Sequence, residues 1–148
     1  MTAGHYAYRH RVTFDETNLV GNVYFAHYLR WQGHCREEFL AEHAPGVLAA
    51  LSGGLVLVTV DCAAEFYAET YAADLIEVRM ALDRLTGNRV AMSFDYQRLR
   101  DGPPELVARG RQSIACMRRD HGRLEPVPVP DELRDALRLF SPAERVPR

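Results

Sequence analysis

Aromatic and apolar side chains fall on every second position from Tyr6 to Phe14, through Tyr8, His10 and Val12, which predicts a strand. Asp15 to Gly21 reads as a loop, and Asn22 is placed to cap the helix that follows. That helix is predicted to run to about His43, because Pro45-Gly46 ends it. Val47 to Gly54 reads as a turn or a short helical piece. Leu55 to Phe66 is rich in Val and Leu and predicts a well-buried strand. Asp74 to Thr86 alternates again, with Ile76, Val78, Met80 and Leu82 on one face. Gly87-Asn88 is a hairpin signal, and Arg89 to Arg100 is the partner strand, with Val90, Met92, Phe94 and Tyr96 alternating. A second turn, Asp101-Gly102-Pro103-Pro104, leads into a long strand from Glu105 to Arg119. The tail from Val127 to Phe140 reads as an extended piece and a short helix capped by Asp131.

One long helix and an antiparallel sheet of five or six strands make an α+β domain, a single one over residues 1–148. The sheet can bury the helix on one face. Its other face and its edges favour self-association, so an oligomer is expected.

Composition narrows the classes. The 148 residues carry a formal net charge of -2, which speaks against nucleic acid or an anionic membrane as the main partner. No apolar run approaches the roughly 20 residues needed to span a bilayer, and MTAGHYAYRHR lacks the apolar centre of a signal peptide. Cys35, Cys62 and Cys116 are far apart and odd in number, which fits reduced thiols in a cytoplasmic protein. No G-x-S-x-G elbow, P-loop or G-x-G-x-x-G is present. The histidines form no metal pair, and no cofactor or metal is expected.

The helix carries one residue out of place. At about 100° per residue, Phe25, Leu29, Gln32, Gly33, Phe39 and Leu40 cluster around Arg36, while His27, Arg30, His34, Glu38 and Glu42 lie opposite. A guanidinium near the middle of an apolar face is either a buried ion pair, with Glu65 or Asp61 as partner, or a functional group. Gly33 on the same face would admit another backbone closely. Asn18 raises the same choice. Asparagine commonly satisfies loop backbone, yet this one precedes a helix start, where free amides hold oxyanions. Asp15 and Glu16 read as solvated loop acids near that positive helix end, with a slipped loop presenting Glu16 as the alternative.

Asn18-Leu19-Val20-Gly21-Asn22-Val23-Tyr24-Phe25, continuing to Tyr28-Leu29-Arg30-Trp31, resembles the opening signature of the 4-hydroxybenzoyl-CoA thioesterase group of hotdog-fold proteins. Glu65-Phe66-Tyr67 through Ala73-Asp74-Leu75 resembles the group's second segment more loosely: Thr70 stands near its usual proline and Ala73 replaces its glycine. Asn18 occupies the position of the catalytic aspartate. With Arg36 in the Cys35-to-Leu40 context, the chain is similar to the thioesterases of enediyne polyketide biosynthesis. The resemblance implies a hotdog dimer, commonly assembled as a tetramer, with sites at the dimer interface. It also implies release of a linear polyene or β-keto polyketide from an acyl carrier protein beside an iterative polyketide synthase.

The residues permit a mechanism without a catalytic carboxylate. Backbone amides at Tyr24 and Phe25, with the Asn18 amide, would hold the thioester oxygen; one such donor is worth about 3 kcal/mol of barrier. Arg36 is too basic for a general base, with a pKa of about 12 or more, but can hold a second acyl oxygen. Tyr28 would add a hydroxyl, and Glu65 would orient Arg36 or relay a proton, with Glu69 as its competitor. Arg98, Arg100, Arg109, Arg111, Arg118 and Arg119 are either solvated edges or a docking patch for an acidic carrier protein or a CoA phosphate. A general acyl-CoA thioesterase and a non-catalytic acyl-thioester-binding hotdog protein are the rival readings.

Overall fold

The computed structural model describes residues 4–142; the ends of the domain expected over 1–148 lie outside that range. Six strands, β1 (Tyr6–Arg11), β2 (Leu55–Phe66), β3 (Leu75–Thr86), β4 (Arg89–Leu99), β5 (Glu105–Asp120) and β6 (Arg123–Pro126), form one antiparallel sheet. Its order is β1-β3-β4-β5-β2, with β6 paired to the end of β5. The long helix α1 (Ala26–His43) lies on the inner face, followed by α2 (Pro45–Ala50); α3 (Asp131–Arg138) closes one end. The α+β hotdog architecture expected from the sequence is the one observed.

Period-2 alternation explains the core. Ile76, Val78 and Met80 of β3, Val90, Met92, Phe94 and Tyr96 of β4, and Ile114 and Cys116 of β5 are all buried toward α1. The helix answers with Tyr28, Trp31, Gln32, Cys35, Phe39 and Leu40. Arg36 therefore flanks the buried face rather than lying at its centre, which runs along Tyr28, Cys35 and Phe39.

Four expectations are corrected. The first strand ends at Arg11, and Phe14, 85% exposed, opens a 3-10 turn over Phe14–Glu16. Asn22 does not cap α1: the helix starts at Ala26, with Phe25 in the capping position and no side-chain cap. Asp131 does not cap α3 either; Pro130 precedes the helix and Asp131 lies in its first turn, a favourable place for an acid. The strand β2 is not well buried. It lies at the sheet edge with only Leu55 fully covered, while Val60 and Phe66 are 43% and 47% exposed. The sequence reading also missed β6, four exposed residues without an apolar pattern. Ala73 occupies a left-handed conformation, φ 74°, at the position where the resembling family carries glycine.

Candidate active site

The loop between β1 and α1 is folded back on itself. The Asn18 N–H donates to the Asn22 carbonyl at 2.9 Å, and the Gly21 N–H donates to the Asn18 carbonyl at 2.9 Å. Asn18 Oδ1 accepts the Val20 N–H at 3.0 Å. That donor demands an oxygen, so the assignment of the amide is chemically fixed and Nδ2 is the uncommitted end.

Glu16 anchors this loop. It is buried, and its carboxylate accepts the Thr13 N–H at 2.9 Å, the Trp31 Nε1–H at 2.9 Å and His10 Nε2 at 2.7 Å. Its carbonyl takes the Tyr24 N–H at 2.9 Å. Burial alone would raise its pKa, but the Thr13 amide, then His10 and Trp31, outweigh this and hold it at about 2. Glu16 is neither a solvated acid nor a slipped catalyst, but the ionised clamp of the loop. Asp15 remains exposed.

Above the helix start, Asn18, Tyr24, Phe25, Tyr28, Glu69 and Thr70, with Asn22, Val23, Phe66 and Ala68, line a cavity of about 280 Å³. It brings Asn18 and Tyr28 together, but not Asn18 and Arg36, the pair that the sequence reading set in one site. The Tyr24 amide is engaged by Glu16; the Phe25 and Ala26 amides have no acceptor among the described residues, so the donor pair is shifted one position along the chain. The Tyr28 hydroxyl meets Thr70 Oγ1 at 2.5 Å, and the Tyr28 carbonyl accepts the Tyr96 hydroxyl at 2.8 Å, fixing the first turn of α1 to the sheet. Burial raises the Tyr28 pKa, so the phenol stays protonated. Thr70 was given no role from the sequence and Glu69 only that of a competitor to Glu65, although both stand in the second family-like segment.

Arg36 does not line this cavity. Its Nη1 donates to Gln112 Oε1 at 2.7 Å, and its Nε is buried with no partner among the described residues. Glu65 is not its partner. An irregularity in β2 between Thr59 and Asp61 shifts the alternation by one residue. Cys62, Ala64 and Phe66 then pair with Gln112, Gly110 and Ala108 of the inner face, while Asp61 and Glu65 pair with Ser113 and Arg109 on the outer face. Glu65 instead borders an outer groove of about 360 Å³ with Arg109 and Arg111. Among the described residues nothing outside the helix's own backbone lies within 4 Å of a Cβ built on Gly33, so none of them uses the opening there.

The arginine patch is also divided. Arg98, only 5% exposed, bonds Asp74, Glu105 and the Glu69 carbonyl, and so holds the cavity wall. Arg109 pairs with Asp95 at 3.3 Å. Arg100, Arg111, Arg118 and Arg119 are exposed. Among the described residues no group of three or more His, Cys, Asp or Glu side chains is placed to hold a metal ion. No described helix is long and apolar enough to cross a membrane.

A single long helix cradled in a curled antiparallel sheet, with a loop-and-helix-start cavity, defines a hotdog-fold thioesterase. The chain belongs to the Thioesterase-like superfamily, whose model matches residues 12–137. It is similar to the dynemicin thioesterase, solved in a study of induced-fit and allosteric effects upon polyene binding, at 68% identity and a TM-score of 0.91, over 95% of this chain and 99% of that one. It is also similar to the 1,4-dihydroxy-2-naphthoyl-CoA hydrolase of Thermosynechococcus vestitus, 26% identical over 83% of both chains. The fold is shared with the 4-hydroxybenzoyl CoA thioesterase of Pseudomonas sp. strain CBS-3, at 19% identity and a TM-score of 0.79, over 90% of this chain and 99% of that one. The protein is a thioester hydrolase acting on acyl thioesters.

Proposed function

We propose that the protein releases a linear polyene or β-keto polyketide from an acyl carrier protein, in enediyne biosynthesis, using an oriented water. The observation that carries this reading is the pairing of Asn18, in place of a carboxylate, with Tyr28 in one cavity beside uncommitted helix-start amides. The 68% identity to the dynemicin thioesterase supports the same substrate class.

In the proposed reaction the thioester oxygen sits against the Phe25 and Ala26 amides and the positive end of α1. Asn18 Nδ2 and the Tyr28 hydroxyl orient the acyl carbonyl and the water. Water adds to the carbonyl carbon, the carbon–sulfur bond breaks, and the proton passes to the departing thiolate. Arg36 contributes by holding a second acyl oxygen, such as that of a β-keto group. Because Arg36 lies off the Asn18 cavity within one chain, the reading places the complete site where two copies meet along the open edge of β2. The exposed Val60, Phe66 and Tyr67 suit that contact. A dimer, a tetramer built from it and a cytoplasmic location accompany the proposal, with the synthase-borne carrier protein docking at the exposed arginines.

A second reading arises from Glu69, which lines the cavity and accepts the Tyr71 hydroxyl at 2.7 Å. In that reading its carboxylate serves as the general base of an ordinary acyl-CoA thioesterase. The deciding experiment follows thiol release from a β-ketoacyl carrier protein and from a simple acyl-CoA. The first reading expects faster turnover of the carrier-bound chain, strong loss in Asn18→Ala and tolerance of Glu69→Gln. Faster acyl-CoA turnover with loss in Glu69→Gln establishes the second. Asn18→Asp is expected to raise activity on the acyl-CoA.

A further inference from the structure

Arg36 is a largely desolvated cation whose hydrogen-bond partner is an amide rather than an acid. Gln112, 5% exposed, accepts from Arg36 Nη1 and donates its own Nε2 to Gln32 Oε1 at 3.4 Å. Gln32, fully buried, donates onward to the Ala63 carbonyl at 3.1 Å. The chain of bonds thus runs from α1 to β5, back to α1, and on to the edge strand β2. Gly110 makes room for it: a Cβ there would collide with Gln32 Nε2 and stand 3.0 Å from the Ala63 oxygen.

Two buried glutamines between a helix and a sheet are costly unless their polar atoms are satisfied. An apolar pair would fill the same space without that requirement. A glutamate at position 112 would bind the guanidinium more strongly by charge. The glutamine does something that neither alternative does. It fixes the guanidinium without an ion pair among the described residues, and Nε is a buried donor with no partner among them. Desolvation lowers the Arg36 pKa, and the nearby charge of Glu37 only partly offsets this.

We propose that Gln112, steadied by Gln32, is a positioning residue that holds Arg36 in place while keeping its charge available for an oxygen of the acyl group. The inference rests on the role given to Arg36 under the proposed function. The relay is the reason that Arg36 discriminates acyl chains bearing a second oxygen from plain ones.

The test compares hydrolysis of β-ketooctanoyl and octanoyl N-acetylcysteamine thioesters by the intact protein, with octanoate as a carboxylate inhibitor. Gln112→Glu retains an acceptor for Arg36 but neutralises it. Its kcat/KM ratio of β-keto to plain substrate is expected to fall about tenfold or more, and octanoate inhibition to weaken by a similar factor, at a melting temperature close to wild type. Gln112→Met keeps the volume without the acceptor and is expected to lower the ratio by loosening Arg36; it decides the matter if Gln112→Glu does not fold. Wild-type ratio and inhibition in a folded Gln112 variant overturn the proposal. Arg36→Ala separates the two levels. If it too keeps the ratio, the role of Arg36 fails and this inference falls with it. If only Arg36→Ala loses the ratio, the positioning claim alone is overturned.

Discussion

The hydroxyls of Tyr28 and Thr70 lie 2.5 Å apart in the wall of the cavity that Asn18 borders. Tyr28 is held by α1 and Thr70 by the segment before β3, so the pair ties the helix start to the sheet. Tyr28→Phe is expected to lower kcat five- to tenfold, about one hydrogen bond in the transition state. Thr70→Val is expected to cost about 1 kcal/mol of stability and to keep most of kcat. Steady-state kinetics and thermal melts measure both; an equal fall in kcat would mean that Thr70 touches the substrate itself.

Arg36 does not line the cavity that Asn18 borders. If two copies complete the site, Asn18→Ala and Arg36→Ala fail in different halves of it. Refolding the two inactive variants together is then expected to restore about a quarter of wild-type activity, since about half of randomly paired dimers are mixed and each mixed dimer holds one intact site. No recovery, with mixed dimers present on native mass spectrometry, would place both residues in one protomer's site.

Ala73 carries a backbone conformation that costs an L-residue about 1–2 kcal/mol. It is held there by its N–H donating to the Val12 carbonyl at 2.8 Å and by Arg11 bonding its own carbonyl at 2.8 Å. Ala73→Gly relieves the strain and adds unfolded-state entropy, so the expected gain is about 0.5–1 kcal/mol. Urea unfolding measures it. A loss would show that the surrounding hydrogen bonds do not hold the residue as firmly as the geometry indicates.

Glu16 links stability to pH. Its folded pKa of about 2 lies below the unfolded value of 4.5. A depressed carboxylate contributes stability that is complete above the unfolded value and is lost as pH falls toward the folded one, here between about 5 and 2. The contribution is on the order of 3 kcal/mol. Glu16→Gln is expected to destabilise the protein at pH 7 and to approach wild type on acidification. A gap that stays constant down to pH 3 would rule out the ionised clamp.

The helix, the hairpins and the family-like loop were legible because their periods and turn signals are local. Asn18 and Tyr28 were each picked out beside the helix start, and the structure puts both on one cavity. The misplaced residues depend on longer-range relationships. Glu65 was offered as a partner of Arg36 from the next strand; regular alternation from Leu55 would put it on the inner face, and the one-residue shift after Thr59 sends it to the other. Arg36 was centred on the apolar face because Leu29 and Phe25 were counted as buried; Phe25 is 56% exposed and the burial runs along Cys35. Glu16 looked solvated because nothing in the loop announces that Trp31, fifteen residues on, donates to it. Gln112 had no local signal, since its partners lie on α1.

The orphaned Nε of Arg36 has one more consequence. A desolvated cation with only an amide beside it is least comfortable when nothing else is present. On the role proposed for Arg36, an acyl group that brings an oxygen to the guanidinium is expected to offset its desolvation. Occupancy will register as resistance to heat, in the absence of turnover, and the size of that gain will rank acyl chains before a single rate is measured.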